Sequence, residues 1–239
     1  MPSFRNIFMN TCVILAFSIL MALGTWQVDR LGQKQELLRK IQRVSENTTN
    51  LNFINIDEDS LDDWLYRKIE IHGDFIDQES LFVFTHLSEP RGKFGGAGYW
   101  VLNPFKSNEG NIIIINRGFI PQNTLNDFMS NSHKYKKNTI TGYVRKFEKT
   151  NLFTPNTNID ERILYLFEKS EIKKMFRIKN IEPYFIDQVD QYNGLPQSNE
   201  TQLKFPNNHL SYAITWYGLA TALLFIYFYS IFRRKKFDL

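Results

Sequence analysis

The chain has 239 residues and a formal charge of +4, and its only cysteine, Cys12, excludes an internal disulfide, a cysteine-based metal site and a copper–thiolate role. Five cations (Arg5, Arg233, Arg234, Lys235, Lys236) and one acid (Asp238) lie at the ends; removing them from 29 basic and 25 acidic residues leaves 24 of each sign between. The middle is formally neutral, so the basic balance needs no nucleic-acid surface to explain it, and the mean hydropathy of −0.34 averages greasy ends with a polar centre.

Residues 1–6 precede an uncharged apolar run, Ile7 to Trp26, which makes a helix of about 30 Å, the thickness of a hydrocarbon core. A signal peptide would have a shorter apolar region and a small-x-small cleavage site. Gly24-Thr25-Trp26-Gln27 is a poor cleavage site and Trp26 suits a membrane interface, so residues 7–26 are expected to stay as transmembrane helix 1. Arg5 places the start of this helix on the inner side. No Arg- and Ser-rich stretch precedes Ile7, which favours a bacterial inner membrane over a mitochondrial one as the expected location.

Beyond Trp26, Leu31, Leu38 and Ile41, flanked by Leu37 and Val44, fall near one face and predict an amphipathic extension of the first helix. Ser45 to Asn52 reads as a polar linker. The period then changes to that of strands: Tyr66 to His72, Ser80 to Thr85, Tyr99 to Phe105, Asn111 to Arg117, Asn138 to Arg145 and Pro183 to Val189. Four consecutive isoleucines in Asn111 to Arg117 imply burial on both faces, and this strand is expected to form a hairpin with Tyr99 to Phe105. Ser170 to Arg177 predicts a short helix with Ser170 as its N-cap. Residues 27–208 thus form one α+β domain rich in antiparallel strands or barrel-like, large enough for its own core.

Few motifs in this domain carry chemistry. The glycines of Arg91 to Gly98 precede a strand, where a phosphate-cradling loop would open a helix, so a flexible loop is expected. No thiol nucleophile or Gly-x-Ser-x-Gly elbow lies outside the membrane segments, and His72, His86 and His133 lack zinc-ligand spacing and read as solvated surface residues. Arg117, at the end of the isoleucine strand, needs a carboxylate partner or solvent; it predicts either a salt bridge at a tight glycine turn or contact with an anion such as a propionate.

The second apolar run, Leu210 to Phe232, is a helix of about 34 Å, and residues 209–232 are read as transmembrane helix 2. The basic tail, residues 233–239, marks its far end as inner, so His209 lies at the outer mouth and residues 27–208 lie outside. An imidazole at the rim of a membrane helix is costly and usually has a role. Helical spacing puts His209, Tyr212, Ala213 and Trp216 on one face running down to Ala220. Two readings stand: an aromatic belt that anchors the helix, or a seat for a planar ring whose iron takes the imidazole.

Six ordered blocks then resemble the surfeit locus protein 1 family of cytochrome c oxidase assembly factors. They are Leu23 to Arg30 (LGTWQVDR), Gly98 to Phe105 (GYWVLNPF), Ile115 to Pro121 (INRGFIP), Gly142 to Arg145 (GYVR), Glu182 to Asp187 (EPYFID) and Asn207 to Ala220 (NNHLSYAITWYGLA). The resemblance implies a non-enzymatic membrane protein that helps mature subunit I of haem a-containing oxidases, with subunit I, the haem a synthesis machinery and membrane lipid as partners and no nucleic acid. It also implies haem a as cofactor and His209 as ligand to the haem iron. Trp216 lies in the same motif, Tyr212 is added by helical geometry, and Trp26 and Arg117 complete the expected binding set. The rival expectation is a haem-free scaffold that holds an oxidase assembly intermediate, with Arg117 and the domain face doing the binding. A membrane-anchored enzyme of the outer compartment is the weakest alternative. Two departures, at Gln191 to Pro196 and at Ile159 to Leu166 (no Trp), bear on the shape of the domain.

Overall fold

The computed structural model describes residues 4–50, 56–76, 79–130, 137–151, 154–155, 157–190, 194–201 and 207–237. His133 and Gln191 to Asn193 lie outside the described residues. The chain divides into two compact units, Met1–Lys40 with Lys204–Leu239, and Ile41–Leu203.

The first unit is built on two long helices, α1 (Phe4–Glu46) and, as the last element of the chain, α5 (His209–Phe237). Each contains a stretch long and apolar enough to cross a membrane, within Ile7–Glu46 and His209–Arg233. Burial on α1 recurs at Met9, Val13, Ala16, Leu20, Leu23, Gly24 and Gln27, every three or four residues, and on α5 at His209, Ala213, Trp216, Ala220, Leu223 and Tyr227. This is the spacing of a coiled-coil seam. The cross-helix contacts fix its direction: Tyr227 donates to Asn10 Oδ1 at 2.9 Å, Thr25 meets Tyr217 at 3.3 Å, and Gln27 meets His209 at 2.7 Å. Residue numbers rise on one helix as they fall on the other, so the pair is antiparallel. Small residues bring the axes together. Ala213 and Ala220 are 2% and 1% exposed, and a Cβ on Gly24 would lie 2.6 Å from the Tyr217 ring.

The described residues of the second unit form an eight-stranded mixed sheet. After β1 (Thr48–Asn50) and a helical turn α2 (Leu61–Trp64) come β2 (Lys68–Phe75), β3 (Leu81–Leu87), β4 (Gly96–Ser107) and β5 (Ile112–Pro121). A 3-10 turn at Gln122–Thr124 leads into α3 (Leu125–Ser130), then β6 (Thr139–Lys146), β7 (Ile163–Leu164), α4 (Lys169–Phe176) and β8 (Tyr184–Gln188). The strand order is β1-β2-β6-β8-β5-β4-β3-β7, and β2 also pairs β4, which closes five strands into a small barrel. Closure happens where β2 leaves β6 at His72 and continues on β4 at Gly73–Phe75. Gly73 permits the crossing: a Cβ there would lie 2.0 Å from the Lys106 carbonyl oxygen. Three pairings are parallel (β1–β2, β3–β7, β5–β8) and the others antiparallel.

Alternation along β5 explains both cores. Ile113 and Ile115 point into the barrel with Ile69, Ile71, Phe105, Ile140 and Ile186. Ile114 points the other way, into a cluster with Leu102, Phe185 and the α4 residues Ile172 and Phe176. The isoleucine run is thus buried on both faces, as its composition requires. The membrane-protein architecture, two apolar helices flanking an α+β domain with mostly antiparallel pairing, agrees with the sequence reading.

Three local details differ from it. The N-cap of α4 is Glu168, whose carboxylate accepts from Ser170 N at 3.2 Å and Glu171 N at 2.9 Å, while the Ser170 hydroxyl itself donates to Glu168. A longer acidic side chain reaching two orphan N–H groups outcompetes the serine. The polar segment after α1 holds β1, an edge strand recruited by backbone pairing to Lys68–Glu70, with no alternating apolar pattern to betray it. The Arg91–Gly98 loop has its backbone donors tied down rather than loose: Arg91 N and Gly92 N donate to the Glu200 carboxylate, both at 2.7 Å, and Phe94 N donates to Gln197 Oε1 at 2.9 Å. The N–H groups that a phosphate would use serve an internal carboxylate.

Candidate functional site

His209 is the first residue of α5 and half-buried on the helix seam. Its Nδ1 lies 2.7 Å from Oε1 of Gln27, a side chain 8% exposed on the facing turn of α1. A carboxamide oxygen only accepts, so this contact calls for an N–H on Nδ1. No group of three or more His, Cys, Asp or Glu side chains able to hold a bare metal ion occurs among the described residues. What the seam offers is one oriented imidazole.

Around it the expected stripe divides. Trp216 is half-buried at the seam, whereas Tyr212 is 55% exposed and stands beside it. Ala213 and Ala220 are used up in bringing α1 close. Trp26 is 50% exposed, with the Arg30 guanidinium 5.7 Å from its ring centre, so it faces away from the seam next to Gln27. Sequence reading missed Gln27 and Tyr217. Gln27 sits in the LGTWQVDR block, but its partner is 182 residues away. Tyr217 fills the space that Gly24 leaves, a pairing visible only once the antiparallel register is known.

Arg117 belongs to the second unit. Its Nη1 donates to Asn103 Oδ1 at 3.1 Å, an oxygen that also accepts from Ser80, and its guanidinium lies 6.0 Å from the Phe75 ring. The buried carboxylate near the end of the isoleucine strand, Asp187 (4% exposed), accepts from Arg145 Nη1 and from Asn116 Nδ2, both at 2.8 Å. Asp187 on β8 thus pairs with Arg145 on the neighbouring β6. Asn116, Arg145 and Asp187 form the polar floor of an open cleft of about 550 Å³, whose sides include Trp100, Phe185 and Tyr165. His72 is hydrogen-bonded to Thr139 through Nδ1 at 2.9 Å and lies 3.5 Å from Glu70; it is half-buried rather than fully solvated, and His86 is exposed.

Comparison with known proteins bears on both units. A profile of the SURF1 family matches residues 14–221, a span that takes in Gln27, the whole β domain and the His209 end of α5. The chain belongs to the SURF1 family. It is 29% identical over 230 residues to a SURF1-like protein of Rickettsia felis, covering 95% of this chain and 97% of that one. It is also 29% identical over 226 residues to human Surfeit locus protein 1 (88% of this chain, 73% of the relative) and 28% identical over 221 residues to the chicken protein (86% and 70%). The SURF1 family is known for a role in cytochrome c oxidase assembly and is a family of assembly factors.

A haem iron takes an imidazole nitrogen at an axial position, and His209 presents one whose other nitrogen is already bonded. Tyr212 and Trp216, three and seven residues on, offer flat rings along the same flank of α5. His209 at the seam offers a nitrogen of the kind a haem iron takes, while Tyr212 stands beside the seam.

Proposed function

We propose that this chain is a cytochrome c oxidase assembly factor that holds haem a at the outer end of its two membrane helices and assists its insertion into subunit I. The contact between His209 and Gln27 is the observation that carries the proposal: an imidazole at the start of α5 is held through Nδ1 by a buried side chain of α1. Haem a, when bound, would supply the iron that an imidazole nitrogen ligates. His209 would be that ligand, with Tyr212 and Trp216 lying against the ring face and Trp26 anchoring α1 at the interface. The four-cation cluster Arg233 to Lys236 sets the orientation, inner termini and outer β domain, in a bacterial inner membrane. The role is one of binding and positioning, with lipid, subunit I and the haem a synthesis machinery as partners.

A haem-free scaffold is the second reading, and the cleft over Asn116, Arg145 and Asp187 favours it by giving the β domain a recessed face of ligand-pocket size. The two separate in cells that make haem a. If His209→Ala is expressed in place of the native chain, the carrier reading expects subunit I to be made but to contain little haem a. Subunit I fully loaded in those cells would retire the carrier reading and turn attention to the cleft.

A further inference from the structure

The amide of Gln27 faces the ring nitrogen that decides what His209 can do. A neutral imidazole carries one proton; on Nδ1 it leaves Nε2 as a ligand, and on Nε2 it removes the lone pair that a metal needs. The 2.7 Å contact with Oε1 permits only the first state. Turning the amide over would put an N–H donor against Nδ1 and force the proton to Nε2.

We infer that Gln27 is the positioning residue for His209: it selects the Nδ1–H tautomer, aims Nε2 away from α1 as the ligating atom, and, being uncharged, holds the ring without making it a stronger donor. The inference deepens the carrier reading and rests on it for what Nε2 meets; its own content is the tautomer. Three observations carry it beyond the single distance. Gln27 is 8% exposed, so little water competes for its oxygen. It lies one turn beyond Gly24, whose missing side chain lets Tyr217 pack against α1 and sets the close approach. The Tyr227–Asn10 bond at the other end fixes the same antiparallel register independently. Metal-bound histidines usually give their second N–H to a carboxylate or a carbonyl, and a carboxylate raises the ligand's basicity. An amide oxygen orients the ring and adds no charge, which suits a ligand that must later let go. A carboxylate in an apolar helix pair would also be costly.

The test uses the full chain in lipid nanodiscs with 15N-labelled histidine, at a pH where imidazoles are neutral, and His209→Gln assigns the His209 signals. The wild type should show a protonated Nδ1 and an unprotonated Nε2; Gln27→Leu should lose that preference, and Gln27→Glu should keep it. Titration with ferric protoporphyrin, read at the Soret band, should then weaken by about 10–100-fold in Gln27→Leu. Gln27→Glu, which keeps the shape, should bind at least as tightly as wild type and release more slowly to free imidazole. A protonated Nε2 in the wild type, or a Gln27→Leu chain unchanged in tautomer and affinity, overturns the inference. A wild type with the Nδ1–H tautomer that binds no porphyrin at all would sink the carrier reading and leave the tautomer assignment standing.

Discussion

Among the described residues, the polar contacts across the helix seam join side chains without a carboxylate, Lys or Arg: Asn10 with Tyr227, Thr25 with Tyr217, Gln27 with His209. In the β domain the buried polar centre is charged, with Asp187 holding Arg145 at 2.8 Å and Glu200 gripping two backbone N–H groups. The difference follows from the solvent each unit is built for. In an apolar surround a charge is expensive and a neutral hydrogen bond is enough to fix register, while packing of small residues supplies the association. In water, burial of isoleucines and phenylalanines supplies the stability, and a charged network can be afforded where every partner is present.

The comparison can be broken at either end. The largest effect is expected from Asp187→Ala, which strands Arg145 and Asn116 over a buried hole. Removing one partner of such a pair costs about 3 kcal/mol, taken at the low end because the Arg145 side chain is 33% exposed. Denaturant unfolding of the full chain in detergent, followed by Trp100 fluorescence, should show it. Tyr227→Phe should cost far less, about 0.6 kcal/mol, since a neutral bond in a helix pair has partners even when the helices part. A steric-trapping or thermal measurement in which Tyr227→Phe matched Asp187→Ala would mean that the seam is held by its hydrogen bonds and not by packing.

The smallest expected effect concerns pH. Burial raises the Glu182 carboxyl above its ordinary range, and Lys169 offsets this only in part. The folded state therefore binds the proton more tightly than the unfolded chain. That contribution is complete at pH below the unfolded value and is lost as pH rises through the folded one. Glu182→Gln should flatten the decline in melting temperature over that window and leave the acid side unchanged. A decline just as steep in the variant would assign it to another group.

What could be read in the sequence follows from how local its causes are. The isoleucine strand, its hairpin with the strand before it, the α4 helix and both apolar helices are written in periods of two or three to four residues, and the structure has them within a few positions. The edge strand β1 and the two-residue β7 escaped because their pairing depends on a neighbour's backbone, and neither Thr48–Asn50 nor Ile163–Leu164 carries a period. The candidate site divides the same way. His209 is legible as an imidazole at the mouth of an apolar run. Gln27, Tyr217 and the Asn116–Asp187–Arg145 floor are not, because each contact joins segments far apart in the chain.

The most direct test of the central claim, that His209 holds haem a, is an absorption spectrum of the detergent-purified chain from cells co-expressing the haem a synthesis enzymes, with His209→Ala beside it. The account predicts a haem a Soret band in the wild type that is lost in the variant while the helical circular dichroism is retained. A colourless wild type, or a variant with the same band, would contradict it.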